Sequence, residues 1–169
     1  PISYGLNSKL VKNENGEVVE QVWKVGGMYS EAIEQIVYWL EKAATVADDT
    51  RRATIEALIA YYRTGDLKKF DEYNILWVKD TDCNVDFVNG FIESYGDPLG
   101  RKASWESVVN FRDVEACKRT EIMAANAQWF EDNAPINPAY RKKEVKGVSA
   151  KVITVAMLGG DCYPATAIG

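Results

Sequence analysis

The dipeptide Gly65-Asp66 constrains this chain more than any other feature. A glycine can end a helix in the left-handed conformation, and an aspartate directly after it can cap the next helix by accepting backbone N–H groups. Two helices separated by so little chain have to fold back on one another. The preceding segment fits, because Asp48-Asp49-Thr50 supplies a helix start and Ile55, Leu58, Ile59 and Tyr62 recur at helical spacing up to Gly65. Phe70, Tyr73 and Trp77 keep the same period after Asp66. Upstream, Ser30 reads as the N-cap of a helix carrying Ile33, Ile36, Val37 and Leu40 and reaching about Ala47. Three antiparallel helices form a layer, and its apolar face needs a partner.

The partner is expected to be a sheet. Gly5 to Lys12 and Val18 to Val25 read as a hairpin about the turn Asn13-Glu14-Asn15-Gly16, with Gly26-Gly27 breaking the second strand. From Val85 to Tyr95 the side chains alternate, so that Phe87, Phe91, Glu93 and Tyr95 share one face and Val88, Ile92 and Ser94 the other. Gly96-Asp97-Pro98-Leu99-Gly100 turns the chain, and Ser104 to Asn110 returns as a strand, Trp105, Ser107 and Val109 opposite Glu106 and Val108. A helix is expected from about Arg112 to Asn133, with Val114, Cys117, Ile122, Ala125 and Trp129, stopping before Pro135. Residues 133 to 146 read as an irregular connector. Lys151 to Leu158 is apolar on both faces, the pattern of a strand buried inside a sheet. The fold class is α+β, a mixed β-sheet or barrel-like core flanked by helices.

Composition removes several function classes. With 169 residues, 47% of them hydrophobic, the chain can bury the core of one ordinary domain. Its net charge of -5 argues against nucleic acid as a partner, since phosphate binding needs a basic face, and Arg141-Lys142-Lys143 is too short to supply one. Cys83, Cys117 and Cys162 are odd in number and widely spaced, which fits neither a disulfide framework nor a zinc knuckle and points to a reducing cytoplasm. The longest apolar run, Val152 to Gly160, is too short to span a bilayer, so no membrane segment is expected. There is no histidine, which excludes the common serine and cysteine triads within the chain. Gly159-Gly160 is followed by no phosphate-loop motif.

The run Gly90-Phe91-Ile92-Glu93-Ser94-Tyr95 with Asp97-Pro98-Leu99-Gly100, inside the stretch 85 to 110, resembles the dipeptidyl peptidase III family of zinc-dependent exopeptidases. Tyr4-Gly5-Leu6-Asn7-Ser8 and the segment from Val22 to Tyr29 are similar to its bacterial members, so the resemblance covers the whole chain. Those enzymes have two lobes about a cleft. By resemblance, residues 1–110 form the β-core lobe with its helical layer, 111–146 a helix and connector of the catalytic lobe, and 147–169 a return strand of the β-core lobe. The family's zinc is held by a His-Glu-x-x-(x)-Gly-His motif and a later glutamate, which on this alignment would lie beyond Gly169. The chain therefore reads as a fragment, with zinc in the parent protein, none bound here, no catalytic residue of its own and no activity alone. Its ends agree: it opens on Pro-Ile-Ser-Tyr and stops at Ala167-Ile168-Gly169, neither of which looks like a natural terminus, although processing would look the same.

An enzyme that counts two residues from a peptide's end has to recognise a free α-ammonium, and a carboxylate is the natural counter-charge. The resemblance assigns that task to Glu93, whose other reading is a solvated charge at a strand end. Tyr95 would donate its hydroxyl to the substrate backbone or to the carbonyl oxygen under attack; otherwise it packs on Phe91. Glu106 is a second cleft acid by resemblance, or else a strand-face charge or a hinge salt bridge. Pro164 to Gly169 leads into the segment against which the family pairs extended peptides. The implied partners are peptides with a free N-terminus, the missing catalytic lobe, and a possible homodimer of the fragment. The competing class is a non-enzymatic peptide-binding or scaffold domain that uses an exposed sheet edge.

Overall fold

The computed structural model describes residues 1–146 and 150–163. Pro164 and Gly169 lie outside the described residues. The chain is α+β and divides into two compact units, one of Pro1–Cys83 with Gly90–Glu106 and one of Asn84–Asn89 with the described part of Ser107–Gly169.

In the first unit a hairpin of β1 (Ser8–Lys12) and β2 (Val18–Val22) pairs antiparallel, Ser8 opposite Val22 and Lys12 opposite Val18. Its turn is closed by the Asn13 side chain, whose Oδ1 accepts from the N–H groups of Asn15 and Glu17 at 3.0 and 2.9 Å. Three helices follow, α1 (Ser30–Ala44), α2 (Asp49–Thr64) and α3 (Leu67–Lys79). Asp48 caps α2 by accepting from Arg51 N, and Asp66 caps α3 by accepting from Lys68 N. Gly65 ends α2 at φ 72°, its N–H bonded to Tyr61 O at 2.7 Å, as the Gly-Asp junction requires. The core lies where these helices meet: Ile33, Ile55, Leu58, Tyr61, Tyr62 and Tyr73 are all nearly inaccessible. An ion pair between Arg51 and Asp80 at 2.8 Å, both side chains 8% exposed, ties the start of α2 to the end of α3.

The start of α1 differs from expectation. Ser30 is its first residue rather than its cap, and Tyr29 holds the cap position in the left-handed region at φ 62° with no side-chain bond. The Ser30 hydroxyl is engaged otherwise, accepting from Gly26 N at 2.6 Å and donating to Glu34 Oε1 at 2.7 Å. The helix ends at Ala44, short of Ala47.

β3 (Val85–Glu93) and β4 (Ser104–Arg112) form the second hairpin, and β5 (Ile153–Gly160) completes a sheet of order β3-β4-β5. The two sheets stay separate, and no closed barrel exists among the described residues. β5 is an edge strand, not the buried central strand its composition suggests, and Ile153, Val155 and Met157 are 48%, 49% and 64% exposed. In the second unit the expected helix is also two: α4 (Val114–Ala125) and α5 (Ala127–Asp132). The break comes from Asn126, whose side-chain amide donates to Ile122 O at 2.8 Å while its own N–H turns back to Met123 O. Asp113 caps α4 through Ala116 N and donates its own N–H to Val152 O, so the helix start is stapled to the chain entering β5. Buried Cys117 adds two weak sulfur contacts to the same Val152 backbone, at 3.5 and 3.3 Å.

Candidate functional site

Glu93, Tyr95 and Glu106 all belong to the first unit. Glu93 is the last residue of β3 and half-buried, and its carbonyl accepts the Ser104 hydroxyl at 2.9 Å, which closes the end of the hairpin. Glu106 is the third residue of β4 and half-buried. Tyr95 is in neither strand. Because β3 ends at Glu93, the two-residue alternation does not carry Tyr95 onto the face of Phe91 and Glu93. It sits in the following turn, 89% exposed.

The turn itself is built by Asp97. Its carboxylate accepts from Leu99 N at 3.0 Å, Arg101 N at 2.8 Å and Lys102 N at 2.9 Å, while its backbone N–H returns to Ser94 O. These donors, the Leu99 N–H foremost and then that of Arg101, hold the Asp97 carboxyl below its ordinary range. Lys102 closes the loop from outside. Its ammonium donates to Ser8 O on β1 and stands 5.8 Å from the centre of the Trp23 ring.

Beneath the end of β3 lies an aromatic cluster. Phe91 is 5.5 Å from Trp23, 6.4 Å from Tyr29 in a stacked arrangement and 6.5 Å edge-on from Tyr62. Trp23 donates its indole N–H to Met28 Sδ, and Trp105 donates its own to the Tyr62 hydroxyl at 2.9 Å. Gly27 makes the tight return from β2 possible, since a side chain there would run into the Val22 carbonyl. A cleft of about 510 Å³ opens beside Phe91, bounded by Tyr29, Ala32, Ile33, Ile36, Ala103 and Trp105. The arrangement offers a carboxylate at a strand end, a phenol on an exposed turn and an apolar cleft nearby. It contains no histidine base.

The pattern of Peptidase family M49 matches residues 5–166. This chain belongs to peptidase family M49. It is 25% identical over 140 residues to dipeptidyl peptidase 3 of Rattus norvegicus, a match covering 82% of this chain and 19% of that protein. Dipeptidyl peptidase 3 of Homo sapiens matches at the same identity, with 82% and 19% covered. A Nudix hydrolase 3 of Arabidopsis thaliana is 30% identical over 94 residues, 55% of this chain and 12% of that one. Among solved structures, the dipeptidyl peptidase III of Caldithrix abyssi superposes with a TM-score of 0.69 at 22% identity, covering 94% of this chain and 30% of that one. The Corallococcus enzyme gives 0.64 at 21%, with 95% and 29% covered, so the fold is shared with both. The M49 chain spans about a fifth of the length of the dipeptidyl peptidases it matches.

The zinc implied by the resemblance does not fit the residues of this M49 chain. It has no histidine, and among the described residues no three of cysteine, aspartate and glutamate converge as a metal would need. No helix among the described residues is long and apolar enough to cross a membrane. Lys102 and Tyr29 border this arrangement, and sequence reasoning assigned neither of them to it. No local pattern marks a lysine whose partner lies 94 positions away, and Tyr29 is announced only by the neighbouring glycines.

Proposed function

We propose that this chain is part of a zinc-dependent dipeptidyl peptidase, which removes dipeptides from peptide N-termini, and that it supplies the substrate-binding side of the cleft. The family match over residues 5–166 carries the reading. In it, residues 1–110 and 147–169 serve the β-core lobe, 111–146 serve the catalytic lobe, and the zinc is held by residues outside this chain. Glu93 meets the substrate's α-ammonium, a charge-assisted contact that both binds the peptide and fixes its register. Tyr95 donates to the bound backbone or to the carbonyl oxygen that gains charge, and Glu106 shapes the cleft's acidity beside it. Pro164 to Gly169 lead into the segment against which an extended peptide would pair. A cytoplasmic location suits three cysteines that are joined by no disulfide.

The test is product analysis with the full-length protein. Peptides with a free N-terminus should release dipeptides, and the same peptides N-acetylated should not. Release of single amino acids, internal cleavage, or equal cleavage of the acetylated peptides would overturn the reading.

A further inference from the structure

We infer that Lys102 is a positioning residue for peptide binding, the anchor that fixes the segment from Glu93 to Tyr95; this rests on the function proposed above. Two observations converge on Trp23. Phe91, two residues before Glu93, packs on the Trp23 ring at 5.5 Å. Lys102, which ends the turn carrying Tyr95, places its ammonium over the same ring at 5.8 Å and donates to Ser8 O, the first residue of β1. Both flanks of the Glu93 segment are thereby tied to one buried indole and one hairpin, Trp23 being only 5% exposed.

Inside the loop the work is divided. Asp97 sets its internal shape by gathering the N–H groups of Leu99, Arg101 and Lys102, all within the loop, so it cannot by itself fix the loop against the rest of the unit. The Ser104 hydroxyl on Glu93 O closes the base of the hairpin but likewise stays within it. The Lys102 ammonium makes a polar contact that leaves the loop and reaches β1. A loop held only at its base would sample many orientations, and a peptide would bear the ordering cost on binding. Anchoring it beforehand lowers that cost, and with Tyr95 bonded to the bound backbone rather than to the carbonyl oxygen it leaves the reacting atoms untouched. The expected signature is a change in KM with kcat left alone.

The experiment compares full-length wild type, Lys102→Met and Lys102→Arg. Methionine keeps the apolar stem over Trp23 and deletes the charge; arginine keeps the charge, the donors and the ring contact. For a free-amine peptide, Lys102→Met should raise KM about tenfold, the scale of one charge-assisted hydrogen bond, with kcat within about twofold of wild type. Lys102→Arg should return KM to within about threefold of wild type. Amide hydrogen exchange at Leu99 and Arg101 should quicken in Lys102→Met while the amides of α2 keep their protection. Unchanged KM and exchange in Lys102→Met would overturn the anchor, as would a fall in kcat with lost protection throughout α2, which marks general destabilisation. Failure of arginine to rescue would also count against it. A wild type that released no dipeptide would sink the proposed function itself, a result distinct from an active wild type indifferent to Lys102.

Discussion

The indole N–H of Trp105 on β4 donates to the hydroxyl of Tyr62, a residue of α2 that is 1% exposed, at 2.9 Å. One hydrogen bond thus joins the strand that bears Glu106 to the centre of the helical layer. A net contribution of about 0.5–1.5 kcal/mol is expected from such a bond. Trp105→Phe and Tyr62→Phe should each destabilise the chain, and the double variant should fall short of their sum by a coupling energy of about that size. Urea denaturation of the four proteins measures it, and strictly additive losses would remove the bond from the stability of the fold.

Alkaline pH should expose the same layer. Burial, the main cause, raises the Tyr61 hydroxyl from 10.0 to about 12 and the Tyr62 hydroxyl further, against smaller opposing effects of the Asn7 and Trp105 hydrogen bonds. The unfolded chain releases these protons near 10.0, while the folded chain keeps them. Above that pH the unfolded state binds fewer protons, so stability falls as pH rises, by about 1.4 kcal/mol per unit for each tyrosine. The Tyr61 part is lost between 10.0 and about 12, and the Tyr62 part continues beyond. Denaturation midpoints for wild type and Tyr61→Phe across this window check it, since the variant should show the shallower slope.

Gly65→Ala should cost about 1–3 kcal/mol, because alanine is strained at φ 72° and its methyl would meet Val22 Cγ1 at 2.7 Å and Tyr4 Cδ1 at 3.3 Å. Circular dichroism melting of the variant provides the measurement. A loss below the cost of strain alone would mean that the junction between α2 and α3 relaxes easily.

What the sequence disclosed followed the range of the interactions involved. Asp48, Gly65 and Asp66 act on groups within four residues of themselves, so the ends of α2 and α3 were legible from their neighbours. Ser30 has the same cap chemistry, yet its hydroxyl is taken by Gly26 N and Glu34, a competition that becomes visible only once the loop is folded. Asn126 lies within an otherwise regular apolar period, and its side chain breaks the helix by capturing a carbonyl one turn back. The edge position of β5 depends on which strands pair, and an apolar run carries no such information. At the candidate site, the motif singled out Glu93 and Tyr95 together, but the end of β3 one pair of residues before Tyr95 was set by the Asp97 turn and by the Ser104 hydroxyl on Glu93 O.

Glu93 gives the most direct test of recognition. It stands at the end of β3 with its backbone pinned by Ser104 and its flank packed through Phe91 on Trp23, so replacing its carboxylate should leave the fold intact. In the full-length protein Glu93→Gln keeps the shape of the side chain and removes the charge proposed to meet a substrate's ammonium. A hydrogen bond to a charged group contributes roughly 1.5–3 kcal/mol, which corresponds to about a 10- to 100-fold loss in kcat/KM for free-amine peptides. Zinc content and melting temperature should stay near wild type, because neither the core nor any metal ligand is altered. N-acetylated peptides supply the control, being poor substrates for both proteins. Equal cleavage of free-amine peptides by Glu93→Gln and wild type would return Glu93 to the solvated surface and leave the ammonium to be read by another group.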